Sequence, residues 1–237
     1  MKTIHTKLTA LFVGLITSLT LNAQTQDGTI VVTQDIESWT NIGLKFELHK
    51  KFIIGINQGI RFNKNATQLD QLLTEANFKY KPTSYLNFGL GLRYISDKGG
   101  NGVFDNDFRI NLDAIFKHKV KSFKLQYRFR YQNKNEIGLS TTEGDYFKHY
   151  LRLKAGVTYS IKNWKLDPKF STEIFRDMTK ITGGFDNLRF TLGTAYNFKK
   201  FGKLGLYYRF ERELGFTYPK TTSIIGLNYV YTFKKRN

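Results

Sequence analysis

The chain has 237 residues, no cysteine and a formal net charge of +18. Its length fits one domain behind a leader, and the missing cysteine excludes disulfide frameworks and thiol chemistry. The basic residues are spread over many segments with no basic helix, which argues against a nucleic-acid partner.

Residues 1–23 read as a signal peptide. Lys2 and Lys7 supply a basic start, Leu8 to Leu21 an apolar stretch too short to span a bilayer, and Leu21-Asn22-Ala23 a cleavage site. Removing Lys2 and Lys7 lowers the charge from +18 to +16. In residues 24–237 no run of about 18 apolar residues follows, so no transmembrane helix can be read.

Strict alternation of apolar and polar residues follows instead, which is the pattern of a β-strand with one apolar and one polar face. The first apolar faces are Ile42, Leu44, Phe46 and Leu48, then Phe52, Ile54, Ile56, Ile60 and Phe62. Ala76, Phe78 and Tyr80 follow, then Leu86, Phe88, Leu90, Leu92 and Tyr94. Phe108 to Phe116, Phe123 to Tyr131 and Leu151 to Tyr159 repeat the rhythm. The eighth face is Trp164, Leu166, Phe170 and Ile174, with a bulge or a strand start expected at Pro168, which lacks a ladder donor. Leu188 to Phe198, Leu204 to Phe210 and Ile225 to Phe233 complete the set.

Such segments behind an export signal predict an all-β fold: a single transmembrane antiparallel up-and-down β-barrel in the Gram-negative outer membrane. Bacterial single-chain barrels have an even strand number, so about twelve strands are expected, with ten as the fallback. The twelfth would be Thr29–Thr33. Connections alternate: short near 49–51, 82–84, 118–121, 161–163 and 199–202, long at 63–71, 97–106, 133–145, 177–186 and 213–220. Phe46, Phe52, Tyr80, Phe116, Phe123, Tyr159, Trp164, Phe198 and Phe233 lie at the level of the short turns and read as an interfacial aromatic girdle.

The other parity should line the lumen. It collects the bases Arg93, Arg109, Arg128, Arg130, Arg152, Arg189 and Arg209 and the acids Glu75, Asp113, Glu173 and Glu211. Glycines such as Gly43, Gly59, Gly91, Gly193 and Gly226 share that face. Two arrangements are open. Either the glycines leave a path beside a basic wall that favours anions, or long Arg and Lys side chains cross into the glycine space and pair with the acids. Bases outnumber acids, so one-to-one pairing is impossible and water must solvate the remainder.

Catalytic chemistry finds little support. His49 and His118 sit at short turns, and His149 has outward parity beside a loop acid, Asp145. No HExxH motif, metal-ligand cluster or phosphate loop is present, so no metal, no cofactor and no enzyme activity are expected.

Three short stretches carry a resemblance: Trp39, Gly59-Ile60-Arg61-Phe62, and Tyr127-Arg128-Phe129-Arg130-Tyr131-Gln132-Asn133. With the length and the strand rhythm, they resemble an uncharacterised Gram-negative family, domain of unknown function 2490. The resemblance implies an outer-membrane barrel and adds no active site. The leading functional expectation is a monomeric small passive channel, partnered by outer-membrane lipid and small anionic solutes. The alternatives are a non-conducting structural or interaction barrel acting through its extracellular loops and, further back, an outer-membrane hydrolase using His149.

Overall fold

The computed structural model describes residues 33–99, 102–138, 147–180, 184–198 and 200–234. The signal peptide, residues 29–32 of the proposed twelfth strand, and Asp145 lie outside them. Every described element is a strand: β1 (Thr33–Glu47), β2 (Phe52–Asn63), β3 (Gln68–Tyr80), β4 (Leu86–Lys98), β5 (Phe104–Val120), β6 (Phe123–Glu136), β7 (Lys148–Tyr159), β8 (Lys169–Asp177), β9 (Asn187–Phe198), β10 (Gly202–Glu213) and β11 (Lys220–Lys234). They form one closed barrel in which each strand pairs with its chain neighbours.

Closure differs from expectation. The barrel has eleven strands, and it closes by a parallel pair, β1 with β11, from Thr33↔Lys220 to Glu47↔Lys234. An up-and-down barrel with an odd strand number must have one parallel pair, because its first and last strands run the same way. Parallel pairing is slightly weaker per residue, and side chains reinforce this seam on both faces. Inside, Asn41 Nδ2 donates to Asn228 Oδ1 at 3.0 Å, and Lys220 Nζ lies 3.6 Å from Glu37 and 3.7 Å from Asp35. Outside, Phe46 and Phe233 stack with ring centres 4.8 Å apart.

The turns follow local chemistry. Lys64, Asn65 and Ala66 all take positive φ (49°, 59° and 60°) between β2 and β3. The Asp35 carboxylate holds that turn, accepting from the backbone N–H of Lys64 at 3.3 Å and of Asn65 at 3.0 Å. β8 starts at Lys169, directly after Pro168, as a proline without a donor requires. Trp164 and Leu166 therefore lie in the 160–168 connection and not on a strand face. That connection is longer than the 64–67 turn at the opposite end, so the alternation of short and long links is not strict.

Parity separates the two surfaces. Ile42, Leu44, Ile56, Leu90, Leu153, Leu206 and Ile225 are exposed on the outside. Trp39, Ile53, Leu73, Ile95, Ile115 and Ile224, on the other parity, are buried inside together with Asn111, Arg152 and Glu173. The expected aromatic band is continuous across several neighbouring strands. Phe52 stacks on Tyr80 at 5.0 Å, Phe123 meets Tyr159 at 4.9 Å, and Phe116 meets Tyr85 at 6.0 Å. Phe198 packs on Tyr196 at 4.5 Å, and Trp164 is exposed in its connection.

Candidate functional site: the charged interior and the loop-end cup

Eight strands make a barrel that side chains just fill, and eleven make a wider one. That width leaves room for long side chains along the wall, and arginine's planar fork can take a carboxylate at two points. Arg130 does so with Asp113, placing Nε and Nη2 at 2.6 and 2.7 Å from its two oxygens. Arg93 pairs with Glu75 on the adjacent strand. Arg189 pairs with Glu211 through Nε at 2.7 Å and Nη2 at 2.6 Å.

Glu173 is the hub. It is 3% exposed and accepts from Arg128 Nη2 at 2.6 Å and from Arg152 through Nε at 2.9 Å and Nη2 at 2.8 Å. Arg189 Nη1 stands 3.9 Å from its second oxygen. Arg128 on β6 reaches past β7 to meet a carboxylate on β8, a contact that only the barrel interior permits. Arg152 Nη1 also donates to Gln132 Oε1 at 2.9 Å, and the guanidinium groups of Arg152 and Arg189 lie 4.3 and 4.6 Å from the Phe175 ring centre.

A second cluster surrounds Trp39. Its Nε1–H donates to Glu37 at 2.7 Å. The guanidinium groups of Arg61 and Arg209 lie 3.7 and 4.7 Å from its ring centre, and that of Arg189 lies 5.9 Å away. Arg209 Nε also donates to Thr191 Oγ1 at 3.3 Å. Cations over the indole face gain from its quadrupole, more so when shielded from water.

The inward glycines are covered, and mostly by groups other than Arg and Lys. Gly226 lies between Trp39 on β1 and Tyr207 on β10 in the ladder, and a methyl group there would run into the Tyr207 ring. Tyr207 Cβ also lies 2.8 Å from where a Gly193 Cβ would be, and Asn41 Oδ1 lies 2.6 Å from where a Gly59 Cβ would be. Asp113 covers Gly89.

At the long-loop end the interior opens into a cup of about 340 Å³. Trp39 and Ile224 line it, together with the acids Glu37, Asp70, Asp97, Glu211 and Glu213 and the bases Arg61, Arg189 and Lys220. The mouth is thus richer in acids, although the chain is strongly basic. Asp70 accepts from Asn63 Nδ2 at 2.6 Å, Asp97 from Gln71 Nε2 at 2.9 Å, and Glu213 from the Lys220 backbone N–H at 2.8 Å. Beside it, Lys180 donates to Asp186 at 2.7 Å, and this bond raises the Lys180 pKa above its ordinary value.

The model of the family described as protein of unknown function, DUF2490, matches residues 36–218. The chain belongs to this family. The DUF2490 match runs from β1 through β10, so it spans the Glu173 hub and Trp39 and stops before β11. No curated protein matches the chain.

Elsewhere in this DUF2490 barrel the histidines occupy ring-stacking positions. His149 Nδ1 lies 2.6 Å from the Tyr131 hydroxyl, and its ring stacks on Tyr131 and Phe147. His118 stacks on Tyr127, and His49 Nδ1 accepts the Lys51 N–H at 3.3 Å. Among the described residues no group of three His, Cys, Asp or Glu could hold a metal ion.

The structure brings together most of the charged residues that parity selects: Arg93 with Glu75, Arg130 with Asp113, Arg189 with Glu211, and Arg128, Arg152 and Arg189 around Glu173. Arg109 joins none of the acids among the described residues. Sequence reasoning missed Trp39 as an interior anchor, and the polar run Glu37, Trp39, Asn41 on one parity was the available signal. It also missed Tyr207, which covers Gly226 and Gly193 on the neighbouring strands, and Asn111, which is buried inside on β5.

Proposed function

We propose that this DUF2490 protein is an outer-membrane barrel that is closed to ions at rest and works through the cup at its long-loop end, which would face the cell exterior. The Glu173 hub carries this reading. Three arginines from three strands converge on one buried carboxylate, so the bases of the β6–β9 wall are bonded to a shared acid where an open anion path would leave them free to face solute. The exposed apolar outer face and the aromatic band support membrane placement.

Current across a planar bilayer tests it. Protein refolded in detergent, shown to be a barrel by heat-dependent gel mobility, is expected to be silent under a salt gradient. Steady conductance would overturn the closed-core reading.

A second reading, a small passive channel favouring anions, draws on the excess of interior bases over acids. It requires an anion-selective reversal potential that falls when Arg128 and Arg152 are replaced with Gln.

A further inference from the structure

We propose that the short-turn mouth of the barrel is a lysine-lined vestibule that docks an acidic, extended segment of a water-soluble partner. On the orientation proposed above, this mouth faces the periplasm. Docking there needs no open pore, so a silent bilayer and a bound peptide are separate results.

Strand parity divides the chemistry of this end. Outward positions carry the aromatic band, among them Phe46, Phe52, Tyr80, Phe116 and Phe123. Inward positions beside the same links carry lysine: Lys45 on β1, Lys79 on β3, Lys117 on β5, Lys124 on β6, Lys169 on β8 and Lys203 on β10. Lipid headgroups meet the first face, and the second opens to water.

The lysines form two groups, one in each half of the wall. In the first, Lys117 feels the charges of Lys81 and Lys45, and Lys79 feels those of Lys117, Lys45 and Lys81. Asp113 also acts on Lys79, but Arg130 already holds both of its oxygens. The carboxylate of this group is Glu47, 2.6 Å from Lys45 Nζ and under the charges of Lys81 and Lys234 as well. In the second group, Lys169 and Lys203 stand within hydrogen-bond reach of each other, two ammonium groups face to face. Their carboxylate is Asp167, which is shared with Lys124 at 3.8 Å. Glu47 and Asp167 are the only acids among the described residues of 45–53, 79–88, 115–126, 158–170, 197–205 and 232–234. Exposed Lys50, Lys51, Lys162 and Lys200 on the links extend both groups.

A wet cleft lined by one sign of charge concentrates ions of the other. One small anion would answer one pair of lysines. These lysines recur around the mouth, which calls for several carboxylates on one chain. Strands spaced about 4.8 Å apart and tilted about 40° make an eleven-stranded wall about 20 Å across. An extended chain rises about 3.3 Å per residue, so about six acidic residues reach from one group to the other.

The test is fluorescence anisotropy of a labelled hexa-aspartate peptide titrated with the full chain folded in non-ionic detergent. Saturable binding that weakens with salt is expected. Lys79→Gln with Lys117→Gln disables one group and Lys169→Gln with Lys203→Gln the other, and each pair should weaken binding about tenfold. Lys64→Gln with Lys148→Gln takes the same charge from exposed positions at the long-loop end and should leave binding unchanged. Lysine acylation on the wild type reads the site without a variant. The peptide should protect Lys79, Lys117, Lys169 and Lys203 and leave Lys64 and Lys148 reactive, and this result decides where a variant fails to refold. No saturable binding, or a control that weakens it as much as the vestibule pairs, would overturn the docking site. So would a wild type that ignores the peptide but retains phosphatidylglycerol through detergent exchange and loses it in the vestibule variants; the lysines would then serve lipid headgroups.

Discussion

Glu173→Gln is the sharpest perturbation of the closed interior. It keeps the shape of the side chain and removes its charge. Arg128 then loses its carboxylate partner, while Arg152 keeps Gln132 and Arg189 keeps Glu211. Breaking a buried ion pair by removing one partner costs about 3–5 kcal/mol. Two of the three arginines retain other partners, so the lower end, about 3 kcal/mol, is expected. Glu211→Gln makes the control, because Glu211 is nearer the mouth and Arg189 still lies 3.9 Å from Glu173. Its cost should be about 1 kcal/mol. Urea midpoints of the refolded barrel measure both. Combining Glu173→Gln with Arg128→Met should recover part of the loss, since taking away both members of a buried pair costs less than stranding one. A loss below about 1 kcal/mol for Glu173→Gln, equal to the control, would mean that lumen water solvates these guanidinium groups. The argument for a closed core would then fail.

Gly226→Ala should cost about 1–3 kcal/mol by overpacking against Tyr207, and Tyr207→Leu should relieve most of it; additive losses in urea unfolding would show that the two positions do not touch. Ala66→Gly should stabilise the barrel by about 0.5–1 kcal/mol, because the strained left-handed turn then suits its residue, and an unchanged or lower urea midpoint would contradict the backbone angles there. The chain has no cysteine, so single cysteines can report strand parity. Cysteine in place of the exposed Gln34, at the start of β1, and in place of the exposed Lys234, at the end of β11, should lie on opposite sides of a membrane. An impermeant maleimide on intact cells should label only one of them, and labelling of both would require an even strand number.

The barrel was legible because each strand records its own two faces. Phe123 to Tyr131 against Lys124 to Gln132 needs no partner to be understood. Strand number was not legible, since nothing local in Ile36–Phe46 or Ile225–Phe233 says that these two strands pair in parallel. Trp164 and Leu166 continued the apolar alternation of Phe170 and Ile174, and only the lost donor at Pro168 separates them from β8. Inward parity found the charged residues of the interior. Their pairing was hidden, because it depends on register between strands far apart in the chain: Arg128 and Glu173 are separated by 45 residues. The acid-rich cup was hidden for the same reason, since Glu37, Asp97 and Glu213 become neighbours only when the barrel closes.

Closure itself links the fold to the proposed function. The parallel β1–β11 seam has the weaker backbone pairing, yet it carries the Asn41–Asn228 amide bond and the stack of Phe46 on Phe233. It also places Trp39 beside Gly226, where a larger residue on β11 would displace Tyr207. With Trp39 held there, Arg61 and Arg209 come onto it from the strands on either side of the seam, one from β2 and one from β10. Trp39 and Arg61 therefore belong both to this closing region and to the lining of the cup. In the proposed loop-end function, a ligand that competes with Arg61 for the Trp39 ring would contact the seam directly, because Trp39 pairs with Gly226 across it.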